Sequence, residues 1–141
     1  MMSTRGSAVT LSSENSEFSL DDVTALPRVD IIMAYENMDG ALIDAAVAAG
    51  AKGVVVAGVG NGNLTAPAVK ALAAQAKKGV VCVRSTRVAT GIVGRNVELD
   101  DDALAFVASM GLNPQKSRVL LRLALTKTKD PKEIQRYFIQ Y

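Results

Sequence analysis

The sequence predicts an α/β domain: a small three-layer fold with a short, mostly parallel sheet of about four strands, flanked by helices. Three observations predict it. Apolar, β-branched runs at residues 29–35, 53–57 and 80–83 alternate with segments of helical periodicity. Those runs are nearly continuous, as in strands buried on both faces. Their spacing leaves room for the helical crossovers that parallel strands need, and such crossovers are right-handed.

The elements follow in order. Residues 1–22 are rich in Ser, Thr, Glu and Asn with little periodicity, and residues 1–25 are expected to form a flexible lead-in. The domain proper is placed at residues 26–141, starting where Leu26-Pro27 delivers the chain into the first strand. Asp39 is positioned to cap a helix carrying Leu42, Ile43, Ala46 and Val47 on one stripe, ended by Gly50. The strand at 53–57 runs into a Gly/Asn loop. Thr65 then caps a second helix with Pro67 in its first turn, ending near Gly79. After the third strand, residues 84–100 read as a loop or short hairpin with extended pieces. Asp100-Asp101 is expected to open a third helix running through Phe106 to Met110 and closed by Gly111. Asn113-Pro114 and Asp130-Pro131 each place a cap before a proline, and Asp130 with Glu133 resembles a capping box. Val119/Leu123, Leu120/Ala124 and Leu121/Leu125 fall four apart on the first of these two helices, and Ile134/Phe138 and Tyr137/Tyr141 would set the last helix against the body.

Composition narrows the chemistry. Within 141 residues, apolar side chains make up 49% and aromatics only 4%, so an aliphatic core is expected in one domain. The net charge of +2 gives no global case for a nucleic-acid or membrane partner. Seven Lys/Arg crowd residues 114–141, but without adjacent runs, as on the solvated sides of helices. With no His, His-based acid/base catalysis and His metal sites are excluded. The single Cys82, inside Val80-Val81-Cys82-Val83, reads as a buried thiol. No apolar stretch approaches a membrane span and the first twenty residues lack the apolar segment of an export signal, so a soluble chain, periplasmic or cytoplasmic, is expected.

The loop Gly58-Val59-Gly60-Asn61-Gly62-Asn63-Leu64 is the first site candidate. Its glycines let backbone approach a ligand, and it follows a strand at the carboxyl edge, where open α/β sheets bind ligands. A dinucleotide fingerprint fails, because the sixth position is Asn63 and residues 77–84 hold no acid. A Walker loop fails as well. Asn61 and Asn63 each donate and accept hydrogen bonds, which suits an amide or amino-acid head group. Asn-Gly pairs also simply make turns, and residue type alone favours that reading. Arg84-Ser85-Thr86-Arg87 leaves the third strand at the same edge, either lining the cleft or pairing with nearby acids. Glu98 lies in an extended-looking piece between Val97 and Leu99, where pleating would point it away from them; it is able to bind an ammonium group, with solvation as its plainer role. No Gly-x-Ser-x-Gly, activated Cys or Ser-x-x-Lys at a helix start is present. The residues alone give a fold and a loop, not a reaction.

Several segments together resemble the C-terminal domain of type II L-asparaginases: Ala57-Gly-Val-Gly-Asn-Gly-Asn-Leu64, Val83-Arg-Ser-Thr-Arg-Val88 with Thr90-Gly91, Phe106-Val-Ala-Ser109, and the stretch from Asn113-Pro-Gln-Lys-Ser-Arg to Lys129-Asp-Pro131. The resemblance covers residues 18–141 in order. It implies a cofactor-free amidohydrolase of L-asparagine, with weaker action on L-glutamine, working as a homotetramer of intimate dimers. In that family the nucleophilic threonine lies in a Thr-Gly-Gly-Thr-Ile-type motif and a second threonine in a Gly-Thr-Asp-Thr-type motif, both in the N-terminal domain. Neither occurs here. No catalytic residue is therefore expected in this chain, and alone it is expected to be inactive. The resemblance assigns substrate contact across the dimer interface to Asn63 and Glu98, with Gly60, Asn61 and Gly62 as the supporting loop. A non-catalytic binding or dimerisation module is the alternative.

Overall fold

The computed structural model describes residues 15–141. Strands β1 (Val29–Met33), β2 (Gly53–Gly58), β3 (Val81–Thr86) and β4 (Phe106–Ala108) form one sheet in the order β1-β2-β3-β4, with every neighbouring pair parallel. Helices α1 (Ala41–Ala48) and α2 (Ala66–Lys77) link the first three strands, and the single turn α3 (Asp101–Leu104) precedes β4. Two longer helices follow, α4 (Pro114–Ala124) and α5 (Pro131–Gln140). This is the α/β architecture expected.

The pleat of β2 explains the three layers. Alternate side chains point to opposite faces. Val54 and Val56 enter a core with Ile43, Ala68 and Leu72 from α1 and α2. Val55 enters a second core with Leu121 and Ile134, and with Phe138, from α4 and α5. With both faces covered, every residue of β2 and β3 is buried. Cys82 lies on the α1/α2 face, and desolvation pushes its thiol up to about 12.

Local chemistry sets most boundaries. Thr65 Oγ1 accepts from Ala68 N at 3.3 Å and Asn113 Oδ1 from Lys116 N at 2.8 Å, each at a helix start with proline in the first turn. Asp130 Oδ1 accepts from Lys132 N at 3.0 Å, but the reciprocal arm of a capping box is absent because Glu133 pairs with Arg136 instead. Asp39 accepts from Ala41 N at 2.9 Å, one residue ahead of the Gly40 cap position. On α1 only Ile43 and Ala46 of the expected stripe are buried, and Leu42 faces outward.

The third helix departs from expectation. It stops after Leu104, because Ala105 turns left-handed (φ 57°), and residues 106–108 become β4, paired with β3 from Cys82↔Phe106 to Arg84↔Ala108. Phe106 and Val107 gain more from filling the two cores than from continuing a helix on the surface. The 84–100 stretch is also corrected: β3 extends to Thr86, and the rest forms bends pinned by a bridge between Val93 and Met110.

Of the lead-in expected over residues 1–25, residues 1–14 lie outside the described residues. From residue 15 on the chain touches the body. The Phe18 ring lies 5.0 Å from that of Tyr137 and 5.4 Å from that of Tyr141. Glu17 pairs with Arg136 at 2.7 Å, and its backbone N–H donates to Tyr141 Oη at 2.7 Å. Arg118 and Arg122 donate to the carbonyls of Val29 and Pro27, at 2.7 and 3.0 Å. Three arginines of the basic tail thus direct donors at the chain's own entry segment.

Candidate functional site

All four strands point their carboxyl ends the same way, so the loops after β1, β2 and β3 gather along one edge of the sheet. The loop after β2 closes into a tight turn. Val59 N donates to Asn63 O at 2.9 Å and Asn63 N to Val59 O at 2.8 Å. The two glycines inside it have positive φ, 56° at Gly60 and 76° at Gly62. Gly62 is required twice over, since a Cβ there would stand 2.8 Å from Arg84 Nη1 and 3.2 Å from the Ser85 carbonyl oxygen. Gly60 faces open space and answers only to its backbone angle.

Asn61 and Asn63 part company in this turn. Asn61 is half-buried, and its Oδ1 accepts from Gly94 N at 2.8 Å, strapping the loop to the segment after β3. Asn63 is exposed, and its side chain makes no hydrogen bond to the described residues.

Beneath both loops lies Arg84, fully buried at the end of β3. Its Nε and Nη2 grip the equally buried Asp101 carboxylate at 2.6 and 2.7 Å. Nη1 donates to the carbonyls of Asn61 (3.0 Å) and Gly62 (3.3 Å), and Nη2 also to that of Gly94 (3.1 Å). These contacts use all five guanidinium donors, the condition under which a buried charge is tolerated. Arg84 was read from the sequence as lying at this edge. Asp101 was read only as half of a helix-opening pair. Asp100 does that capping, accepting from Ala103 N at 3.0 Å, while Asp101 turns inward.

Glu98 sits on a short loop whose two ends are fastened. Asp101 Oδ2 accepts from Asn96 N at 2.8 Å. Asn96 Oδ1 accepts from Asp102 N at 3.1 Å, and Asn96 Nδ2 donates to Asp102 Oδ2 at 2.7 Å. Asn96 and Arg95 together hold the Asp102 carboxyl below the usual carboxylate range. Arg95 also donates to Gln135 at 2.7 Å. The segment is bent rather than extended, so the pleating argument for Glu98 does not apply. Glu98 nevertheless points outward: it is exposed and has no hydrogen-bonded partner among the described residues.

On the loops after β2 and β3 this edge presents the Asn63 amide and the Glu98 carboxylate, both held from beneath. A carboxylate suits a cation, and an amide suits a group that both donates and accepts. Around them the same edge exposes Tyr35, Val59, Val88, Ile92 and Val97. Among the described residues no three His, Cys, Asp or Glu side chains gather as a metal site, and no helix is long and apolar enough to cross a membrane.

Residues 28–138 match the model of the glutaminase/asparaginase C-terminal domain. The chain is 52% identical over 124 residues to a probable periplasmic L-asparaginase of Haemophilus influenzae, covering 88% of this chain and 36% of the relative. It is 51% identical over 128 residues to L-asparaginase 2 of Bacillus subtilis, covering 91% of this chain and 34% of that protein. A glutaminase-asparaginase of Pseudomonas fluorescens is 44% identical over 128 residues, covering 90% and 35%. The chain spans about a third of the length of the curated relatives it matches. It belongs to the glutaminase/asparaginase C-terminal domain family.

Proposed function

We propose that this chain acts as the C-terminal, substrate-contacting part of an amidohydrolase that converts L-asparagine, and L-glutamine less readily, to the corresponding acid and ammonia. Glu98 pairs with the substrate's α-ammonium group. The Asn63 amide orients the substrate by hydrogen bonding. The attacking hydroxyl comes from a different polypeptide segment, since none of the chain's threonines stands in a Thr-Gly-Gly-Thr-Ile-type or Gly-Thr-Asp-Thr-type context. Gly60, Asn61 and Gly62 shape the turn that presents Asn63.

The observation carrying this reading is the pairing of an unengaged carboxylate with an unengaged amide on tied-down loops, in a chain about half identical to two L-asparaginases. The apolar residues exposed around them fit an edge that packs against another segment in a homo-oligomer.

The test is complementation. The purified chain is mixed with the N-terminal two-thirds of the Bacillus subtilis relative, and ammonia release from L-asparagine is followed. Activity should require both pieces, and Glu98→Ala should lower kcat/KM by at least about a hundredfold without disturbing the fold, because an exposed side chain that pairs with a charge acts through binding. Pieces that associate but stay silent would favour a non-catalytic dimerisation module.

A further inference from the structure

The two loops that carry Asn63 and Glu98 share one anchor, and it is not a surface feature. Arg84 donates to Asn61 and Gly62 on one side and to Gly94 on the other, while Asp101, gripped by the same guanidinium, receives Asn96 N. Asn61 Oδ1 and Gly94 N close the ring directly. Every covalent route between the two loops runs through a strand or helix, whereas this polar ring joins them through three side chains and their hydrogen bonds. The ring lies beneath the loops, with Arg84 and Asp101 wholly buried.

From this we propose that Arg84, with Asp101 and Asn61, is the positioning device that sets the separation of Asn63 and Glu98, and so fixes how tightly the edge holds an α-amino acid head group. This inference rests on the proposed function above. Arg84 touches no substrate. It acts through the loops, and a planar fork with five fixed donors is suited to holding three carbonyls and a carboxylate at once. A lysine, with one ammonium and no fork, is not.

The proposal separates from a general stabilising role by where disorder goes. In Arg84→Lys, and in the milder Asn61→Ala, amide hydrogen exchange should accelerate together at Asn63, Gly94 and Asn96, while sheet amides such as Val55 and Val83 keep their protection. In the complementation mixture the same variants should raise KM for L-asparagine about tenfold and leave kcat within about a factor of three. Asn61→Asp, which retains the acceptor for Gly94 N, should restore both readouts towards wild type. Three results would overturn the proposal: loops whose exchange does not change, exchange that accelerates equally through the sheet, or loosened loops with an unchanged KM. Failure of the underlying functional reading shows separately, as a wild-type mixture that releases no ammonia. The positioning role falls with it.

Discussion

Arg84 and Asp101 show how differently a side chain's surroundings and its sequence neighbours speak. Both stand beside polar residues in the chain, and both end up fully buried. Removing one partner leaves the other's charge buried without compensation, a loss of about 3–5 kcal/mol. Cys82 is the opposite case, legible at once from its valine neighbours. Burial raises its thiol to about 12, so the folded protein holds that proton where the unfolded chain releases it. A raised folded value means stability is intact below the unfolded thiol's range and is lost as pH rises above it. From about pH 8.5 upward the thiol should remove about 1.4 kcal/mol of stability per pH unit, until the folded thiol itself ionises. Urea unfolding at a series of alkaline pH values should show that slope in the wild type and not in Cys82→Ala. The roles proposed for Glu98 and Asn63 rest on the family resemblance. An exposed carboxylate and a turn asparagine have no local signature that separates binding from solvation.

At the scale of elements, the helices were readable because their caps are side-chain events: Thr65, Asn113 and Asp130 each accept from a first-turn amide. The fourth strand was not, because α3 ends without the glycine that normally marks a left-handed stop. Ala105 takes that conformation itself (φ 57°) and carries its strain. Ala105→Gly should therefore raise stability by about 0.5–1 kcal/mol in chemical denaturation, the relief of left-handed strain exceeding the added unfolded-state entropy. A drop in stability would mean the turn gains something from the methyl group. Beyond β4, the outer edge of the sheet is closed by a side chain. Gln135 Oε1 accepts from Ala108 N at 2.8 Å and Gln135 Nε2 donates to Ala108 O at 3.1 Å, replacing a fifth strand. No periodicity argument reveals such a pairing, since it depends on a helix and a strand 27 residues apart.

The docking of the entry segment also belongs to this scale. The hydrogen bond from Arg136 keeps the Glu17 carboxyl below its ordinary range, helped by the guanidinium's charge. A lowered folded value means the contact is fully present above the unfolded carboxyl's pKa, and is lost as pH falls through the lower folded one. Exchange protection over residues 17–23 should therefore weaken only below the normal carboxylate range, about pH 4.3. Glu17→Gln should show weak protection there at every pH. Protection in that variant equal to wild type would assign the docking to Phe18 alone.

For the molecule as a whole, the two cores complete the three layers yet leave apolar surface at the carboxyl edge and along β1, where Ile31, Met33 and Tyr35 are exposed beside Leu42. A second apolar groove of about 610 Å³ lies between the entry segment and α4, with Phe18, Leu20 and Val119 among its walls. Surface of this kind favours association. Sedimentation velocity should show the average mass rising with concentration, and a sharp monomer at high concentration would show that these faces need no cover. The sequence disclosed this architecture well, because alternating strands and helices admit few topologies.

In the proposed function, this edge serves a reaction whose nucleophile lies on another segment. The most direct measurement is ammonia release from L-asparagine by the pure chain, alone and then with the N-terminal two-thirds of the Bacillus subtilis relative added. No turnover is expected from the chain alone, and addition should give turnover that Glu98→Ala removes. Hydrolysis by the chain alone at an ordinary enzymatic rate, on the order of 10 per second, would contradict it.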